Sequence, residues 1–125
     1  MVHGPSGSVV VTDAPRDNHG LGEGFSPTDL LATSLATCMV TVMGIAARKH
    51  TLDIDGMTAE VDKHMSTDPP RKVARLVVRV SLASGKAEAL DPEARALLEN
   101  AGETCPVRLS LSEALTVETS YAWGE

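Results

Sequence analysis

The chain has 125 residues, 42% of them apolar, a net charge of −6, and one residue each of Trp, Tyr and Phe. That size and apolar content fit one ordered domain whose core is built from aliphatic residues, Ala and Met. The acidic balance, with no stretch rich in Lys and Arg and no aromatic platform for bases, excludes nucleic acid and anionic lipid as favoured partners.

At the N-terminus no basic region precedes an apolar run, so no signal peptide is expected, and the cytoplasm is the expected location. A turn signal (GPSG) leads into residues 8–12 (SVVVT), which read as a short strand of β-branched residues. Residues 13–24 form a polar, glycine-bearing loop that holds Arg16 and Glu23. A long helix follows. Ser26 is its N-cap, Pro27 suits its first position, Asp29 complements the dipole, and Arg48, Lys49 and His50 close it. From residue 30 to residue 47 nothing is charged, and the apolar positions lie all round the helix. That pattern predicts a buried helix. A membrane span is disfavoured, because Thr33, Ser34, Thr37, Thr41 and Gly44 interrupt the run.

Residues 57–65 and 73–82 alternate apolar and polar positions and predict two neighbouring antiparallel strands. A helix opens at Asp91 and Pro92 and stops near Gly102. A shorter one starts at Cys105 and Pro106, and residues 115–123 alternate as a last strand. The order predicts a single α+β domain with a mostly antiparallel sheet. One sheet face cannot cover a helix that is apolar all round, so a homodimer with this helix at its centre is expected.

Two cysteines are too few for a disulfide scaffold, and four scattered histidines give little support to a protein metal site. Cys38, in SLATCMV, reads on its own as a small core residue. Cys105, in GETCPVRLS, sits at a helix N-terminus with Arg108 three residues on, a setting that favours a thiolate. Spacing alone does not bring the two together.

SPTDLLATSLATCMVTVM together with CPVRLSLSEALTVE resembles the OsmC/Ohr family, the osmotically inducible protein C and organic hydroperoxide resistance proteins, with the chain closer to the OsmC-like branch. The resemblance implies an intertwined α+β homodimer with antiparallel sheets, long buried central helices and a shortened N-terminal strand. It implies that Cys38 attacks an organic hydroperoxide and Cys105 resolves the sulfenic acid as a disulfide. No bound cofactor or metal is implied, and a dihydrolipoamide-like dithiol is the expected reductant. Active relatives also carry an Arg near the N-terminus and a Glu ten residues before the helix cysteine. Here Thr28 stands at that Glu position, and Arg16, Glu23 and Arg108 remain as candidates to support the thiolate. The alternative that this departure raises is a non-catalytic small-molecule or lipid-binding protein on the same scaffold.

Overall fold

The computed structural model describes residues 1–124 and divides into two compact units, Met1–Leu31 and Ala32 onward. In the first, the strand expected at residues 8–12 does not form. The only pairing there is an isolated bridge between Val2 and Val9, and Val9 and Val11 are 65% and 79% exposed. β-branched residues favour a strand only when a neighbour completes the ladder, and the hairpin across this turn is too short to supply one. The loop that follows is ordered by its own side chains. The Asp13 carboxylate accepts the backbone N–H groups of Leu21 and Glu23, both at 3.2 Å. Gly20 is obligatory, since a Cβ there would lie 1.7 Å from the Ala14 carbonyl oxygen.

The long helix, α1 (Pro27–Lys49), starts in this unit with a reciprocal cap. The Asp29 backbone N–H donates to the Ser26 hydroxyl at 3.0 Å, and the Ser26 N–H donates to the Asp29 carboxylate at 2.9 Å. Two of the N–H groups that a helix start leaves unpaired are thereby satisfied.

In the second unit α1 is followed by β1 (Thr58–Met65), β2 (Val73–Leu82), α2 (Ser84–Ala87), α3 (Pro92–Glu103), α4 (Pro106–Ser110) and β3 (Thr116–Trp123). The three strands form one sheet in the order β1-β2-β3. β1 and β2 pair antiparallel, as their alternation predicts. β3 pairs parallel with β2, Arg75 opposite Thr116 through Leu82 opposite Trp123, so the sheet is mixed rather than mostly antiparallel. The reason is topological. Three helices fill the connection between β2 and β3, and a crossover of that kind returns the chain in the same direction.

Leu76, Val78, Val80 and Leu82 put one face of β2 into the core, each 1% exposed or less. The other face carries exposed ion pairs, Arg79 with Glu60 and Arg75 with Glu118, both at 3.2 Å. Pairs of this kind contribute little to stability. Asp91 caps α3 through the Ala94 N–H at 2.7 Å, and Leu98 and Gly102 bury its inner side.

The expectation of a helix buried all round meets a structure in which α1 buries one side. Leu35, Met39 and Met43 are 0% exposed, and Ala32, Ala36 and Ala47 flank them. Thr37, Thr41 and Ile45 face outward, Ile45 at 49% exposure. By length and composition alone α1 could cross a membrane, with a mean hydropathy of 1.9, but a third of that stretch is buried inside the protein.

Candidate active site

Cys38 lies on α1 at the edge of its buried stripe. At 100° per residue its neighbours toward the open side are Ser34, Thr41 and Ile45, and those toward the core are Leu35 and Met39. Cys38 is accordingly half-buried as a residue. Cys105 is the residue just before α4 and is 0% exposed. Its backbone is extended (φ −66°, ψ 149°), as an N-cap requires, and Pro106 fixes the first helical position. The Cys105 sulfur takes the role that a hydroxyl usually plays at a cap, accepting the Arg108 backbone N–H at 3.4 Å.

The two thiols, with 66 residues between them in sequence, meet in space. Both are free thiols, and they lie close enough for Cys38 to influence the titration of Cys105. Burial is the largest influence on Cys105 and pushes its thiol pKa up. The Arg108 N–H pulls the other way, and the contact with Cys38 adds to the rise. The pair is thus asymmetric: a half-buried cysteine on α1, and a buried partner whose raised pKa favours the protonated thiol.

Of the charged residues marked as candidates by the sequence, Arg108 lies at this site, but its backbone rather than its guanidinium touches the thiol. The guanidinium donates to the Glu103 carboxylate at 2.9 Å and to the Thr119 hydroxyl at 3.2 Å. Glu103 in turn accepts the Tyr121 hydroxyl at 3.0 Å. Burial and the Glu103 carboxylate hold the Tyr121 phenol well above its ordinary value of 10.0. Glu103, Tyr121 and Thr119 escape sequence reasoning, because α3, α4 and β3 bring them together across gaps that no spacing rule reads. Glu103 does stand two residues before Cys105, so the clip between Glu103 and Arg108 spans the cysteine and fixes the α3–α4 joint.

Arg16, Glu23 and Thr28 belong to the first unit, where each has local bonds. Arg16 Nε donates to the Leu21 carbonyl at 3.0 Å, the Glu23 backbone N–H goes to Asp13, and Thr28 shares a hydrogen bond with the Ser26 hydroxyl at 3.1 Å. Among the described residues no three His, Cys, Asp or Glu side chains converge as a metal site would require.

A mixed α+β domain that sets a half-buried helix thiol against a buried, N-capping thiol defines a class of two-cysteine proteins. The family profile of OsmC-like proteins matches residues 20–120, and the chain belongs to that family. A crystal structure named for an osmotic stress induced and detoxification response protein of Psychrobacter arcticus 273-4 is 42% identical, with a TM-score of 0.87, covering 96% of this chain and 84% of that one. The organic hydroperoxide resistance protein OsmC of Legionella pneumophila is 20% identical with a TM-score of 0.70, covering 88% of this chain and 78% of that one. The organic hydroperoxide resistance protein OhrB of Bacillus subtilis is 22% identical with a TM-score of 0.61, covering 78% and 70%. The last two show that the fold is shared. No curated protein sequence matches the chain.

Proposed function

We propose that this protein is a thiol-dependent peroxidase that reduces organic hydroperoxides through Cys38 and Cys105. The observation that carries the reading is the closeness of the two thiols, Cys38 influencing the titration of a buried, N-capping Cys105 across 66 intervening residues. Relatives in the family named as organic hydroperoxide resistance proteins support peroxide-related redox chemistry. The Cys38 thiolate attacks the terminal oxygen of ROOH, the O–O bond breaks, ROH leaves, and Cys38 becomes a sulfenic acid. The Cys105 sulfur then displaces that oxygen as water, and a disulfide closes. A dithiol of the dihydrolipoamide type restores both thiols by exchange.

Cys38 is assigned as the attacking residue because it is half-buried, whereas Cys105 is 0% exposed. The surroundings are apolar, with Leu35, Met39 and Met43 on the same helix, which suits an alkyl or fatty-acyl hydroperoxide better than hydrogen peroxide. The working form is a cytoplasmic homodimer. The open side of α1, with Ile45 exposed and Val40 and Val42 half-buried, is the surface a second copy would cover.

One experiment tests the reading. Stoichiometric cumene hydroperoxide should yield one intrachain disulfide, and Cys38→Ser should abolish turnover with dihydrolipoamide. A wild-type protein that consumes no hydroperoxide with any dithiol tested overturns it.

A further inference from the structure

A helix of five residues does not hold itself in place. α4 buries none of its own residues, and Leu109 is 71% exposed. So short a helix makes too few backbone bonds to offset its nucleation cost, and it has no apolar face to dock. Two tethers hold its first turn. One is Cys105, the N-cap, at 0% exposure. The other is the Arg108 guanidinium, which donates to the Glu103 carboxylate at 2.9 Å and to the Thr119 hydroxyl at 3.2 Å. The tethers meet in Arg108, because its backbone N–H also donates to the Cys105 sulfur at 3.4 Å. Holding the Arg108 side chain therefore aims that N–H at the sulfur.

Glu103 is the fixed end of the second tether. It closes α3, whose Leu98 and Gly102 are buried. One of its carboxylate oxygens takes Arg108, and the other accepts the Tyr121 hydroxyl of β3 at 3.0 Å. Burial, and after it the Glu103 carboxylate, raise the Tyr121 phenol, so it remains a donor at the pH where thiols exchange. A single carboxylate thus joins α3, α4 and β3 around the cysteine. Its bonds are charge-assisted, and the ion pair is shielded enough to be screened less than a surface pair.

We propose that Glu103 is a positioning residue for the thiol pair: through Arg108 it holds α4, and with it the Cys105 sulfur, where a disulfide to Cys38 can close. The inference rests on the proposed cycle and deepens it, naming what prepares the resolving step. Thiols held together close a disulfide at a high effective concentration, and a loosened joint lowers it. Exchange with oxidised glutathione measures that concentration without any hydroperoxide. The Cys38–Cys105 bond forms, the glutathione S–S bond breaks, and the two protons and two electrons of the protein thiols leave on two reduced glutathiones.

The test compares wild type, Glu103→Gln, Arg108→Met and the double variant, each equilibrated in glutathione buffers of graded ratio, quenched in acid, alkylated with N-ethylmaleimide and weighed by mass spectrometry. Gln keeps the size of Glu without its charge, and Met at 108 keeps the backbone N–H on the sulfur while removing the side-chain tether. Expected is an equilibrium constant about tenfold lower in each single variant, about 30 mV for a two-electron couple, and no lower in the double variant, since both residues act through one clip. Asp91→Ala removes the cap at the far end of α3 at a similar cost in stability and should leave the constant as in wild type. An unchanged or raised constant in the folded single variants, an additive loss in the double variant, an equal fall in Asp91→Ala, or a wild type that forms no Cys38–Cys105 disulfide each overturns the proposal. Should Glu103→Gln fail to fold, Arg108→Met against Asp91→Ala decides it. If the constants behave as expected while cumene hydroperoxide is not consumed, the peroxidase reading fails and the placement of the pair by Glu103 stands.

Discussion

Gly102→Ala puts two opposing effects against each other at the back of the thiol site. Gly102 lies in the last turn of α3, where Ala would gain up to about 1 kcal/mol of helix propensity. The added Cβ would stand 3.2 Å from the Met43 sulfur, 3.2 Å from the Tyr121 hydroxyl oxygen and 3.5 Å from the Met39 methyl. Met43 is flexible by type, but it is fully buried and has no space to retreat into. Tyr121 is fixed by Glu103 at 3.0 Å and by its stack on Trp123, with ring centroids 6.1 Å apart. Overpacking of this kind costs about 1–3 kcal/mol, and stretching a hydrogen bond to a carboxylate adds to it. The net expectation is a loss of about 1–2 kcal/mol, or a Tm lower by roughly 4–8 °C at fixed protein concentration. The oxygen of Tyr121 is one of the two nearest atoms, so Tyr121→Phe in the same chain should recover part of the loss. A double-mutant cycle by thermal unfolding measures this as a coupling of about 0.5 kcal/mol or more. A Gly102→Ala protein as stable as wild type, or a cycle with no coupling, refutes the reasoning.

Arg108→Met removes the clip to Glu103 at 2.9 Å, whose side chains are 24% and 34% exposed, and should lower stability by about 1–2 kcal/mol in urea unfolding. The same variant should close its disulfide more slowly after one equivalent of hydroperoxide while forming the Cys38 sulfenic acid at the wild-type rate; unchanged closing would remove the clip from any positioning role. Alkali should destabilise the fold in two stages. Above the ordinary thiol value of 9.0 the unfolded chain releases the Cys105 proton while the native state keeps it. Above 10.0 the same holds for Tyr121, and while each native group stays protonated stability falls by up to about 1.4 kcal/mol per pH unit and group. Tyr121→Phe should flatten the second stage, and profiles that stay parallel between the variant and wild type would contradict it.

The sequence carries its clearest information where a local rule decides the outcome. Ser26, Pro27 and Asp29 predict the start of α1, and the reciprocal cap forms there. The alternation in β1 and β2 predicts both strands and their pairing. Cys105 and Pro106 predict the start of α4. Elsewhere local rules run out. Residues 8–12 have strand chemistry but no neighbour to complete a ladder. The alternation in β3 is equally compatible with either direction of pairing, and only the helical crossover makes it parallel. α2 spans four residues, too few for a 3.6-residue period to register. At the site, the two cysteines were legible as residues and their approach only through family resemblance. The chain Arg108–Glu103–Tyr121 was not legible at all, since its members sit on α4, α3 and β3 and nothing in their spacing links them.

In the proposed cycle the raised thiol of Cys105 is a handicap, since Cys105 would attack the sulfenic acid and a thiolate is the stronger nucleophile. The stoichiometry of the step removes the difficulty. A sulfenic acid and a thiol condense to a disulfide and water, so the departing oxygen needs a proton, and Cys105, whose pKa is raised by burial and by its neighbour Cys38, still carries one. The proton can pass to the oxygen as the sulfur–sulfur bond forms, without a free anion in a site where burial disfavours charge. Two sulfurs held in contact also need little help from intrinsic nucleophilicity, because proximity alone supplies a high effective concentration. These two routes differ in their pH dependence. If Cys105 had to ionise first, disulfide closure would accelerate about tenfold per pH unit below its pKa. If the proton moves with the bond, closure is nearly flat from about pH 6 to pH 8. Stopped-flow tryptophan fluorescence after a hydroperoxide pulse can follow the step, since Trp123 stacks on Tyr121 and Tyr121 binds Glu103 beside the thiols. A flat profile is the expected result, and a tenfold rise per unit would show that Cys105 reacts as a preformed thiolate.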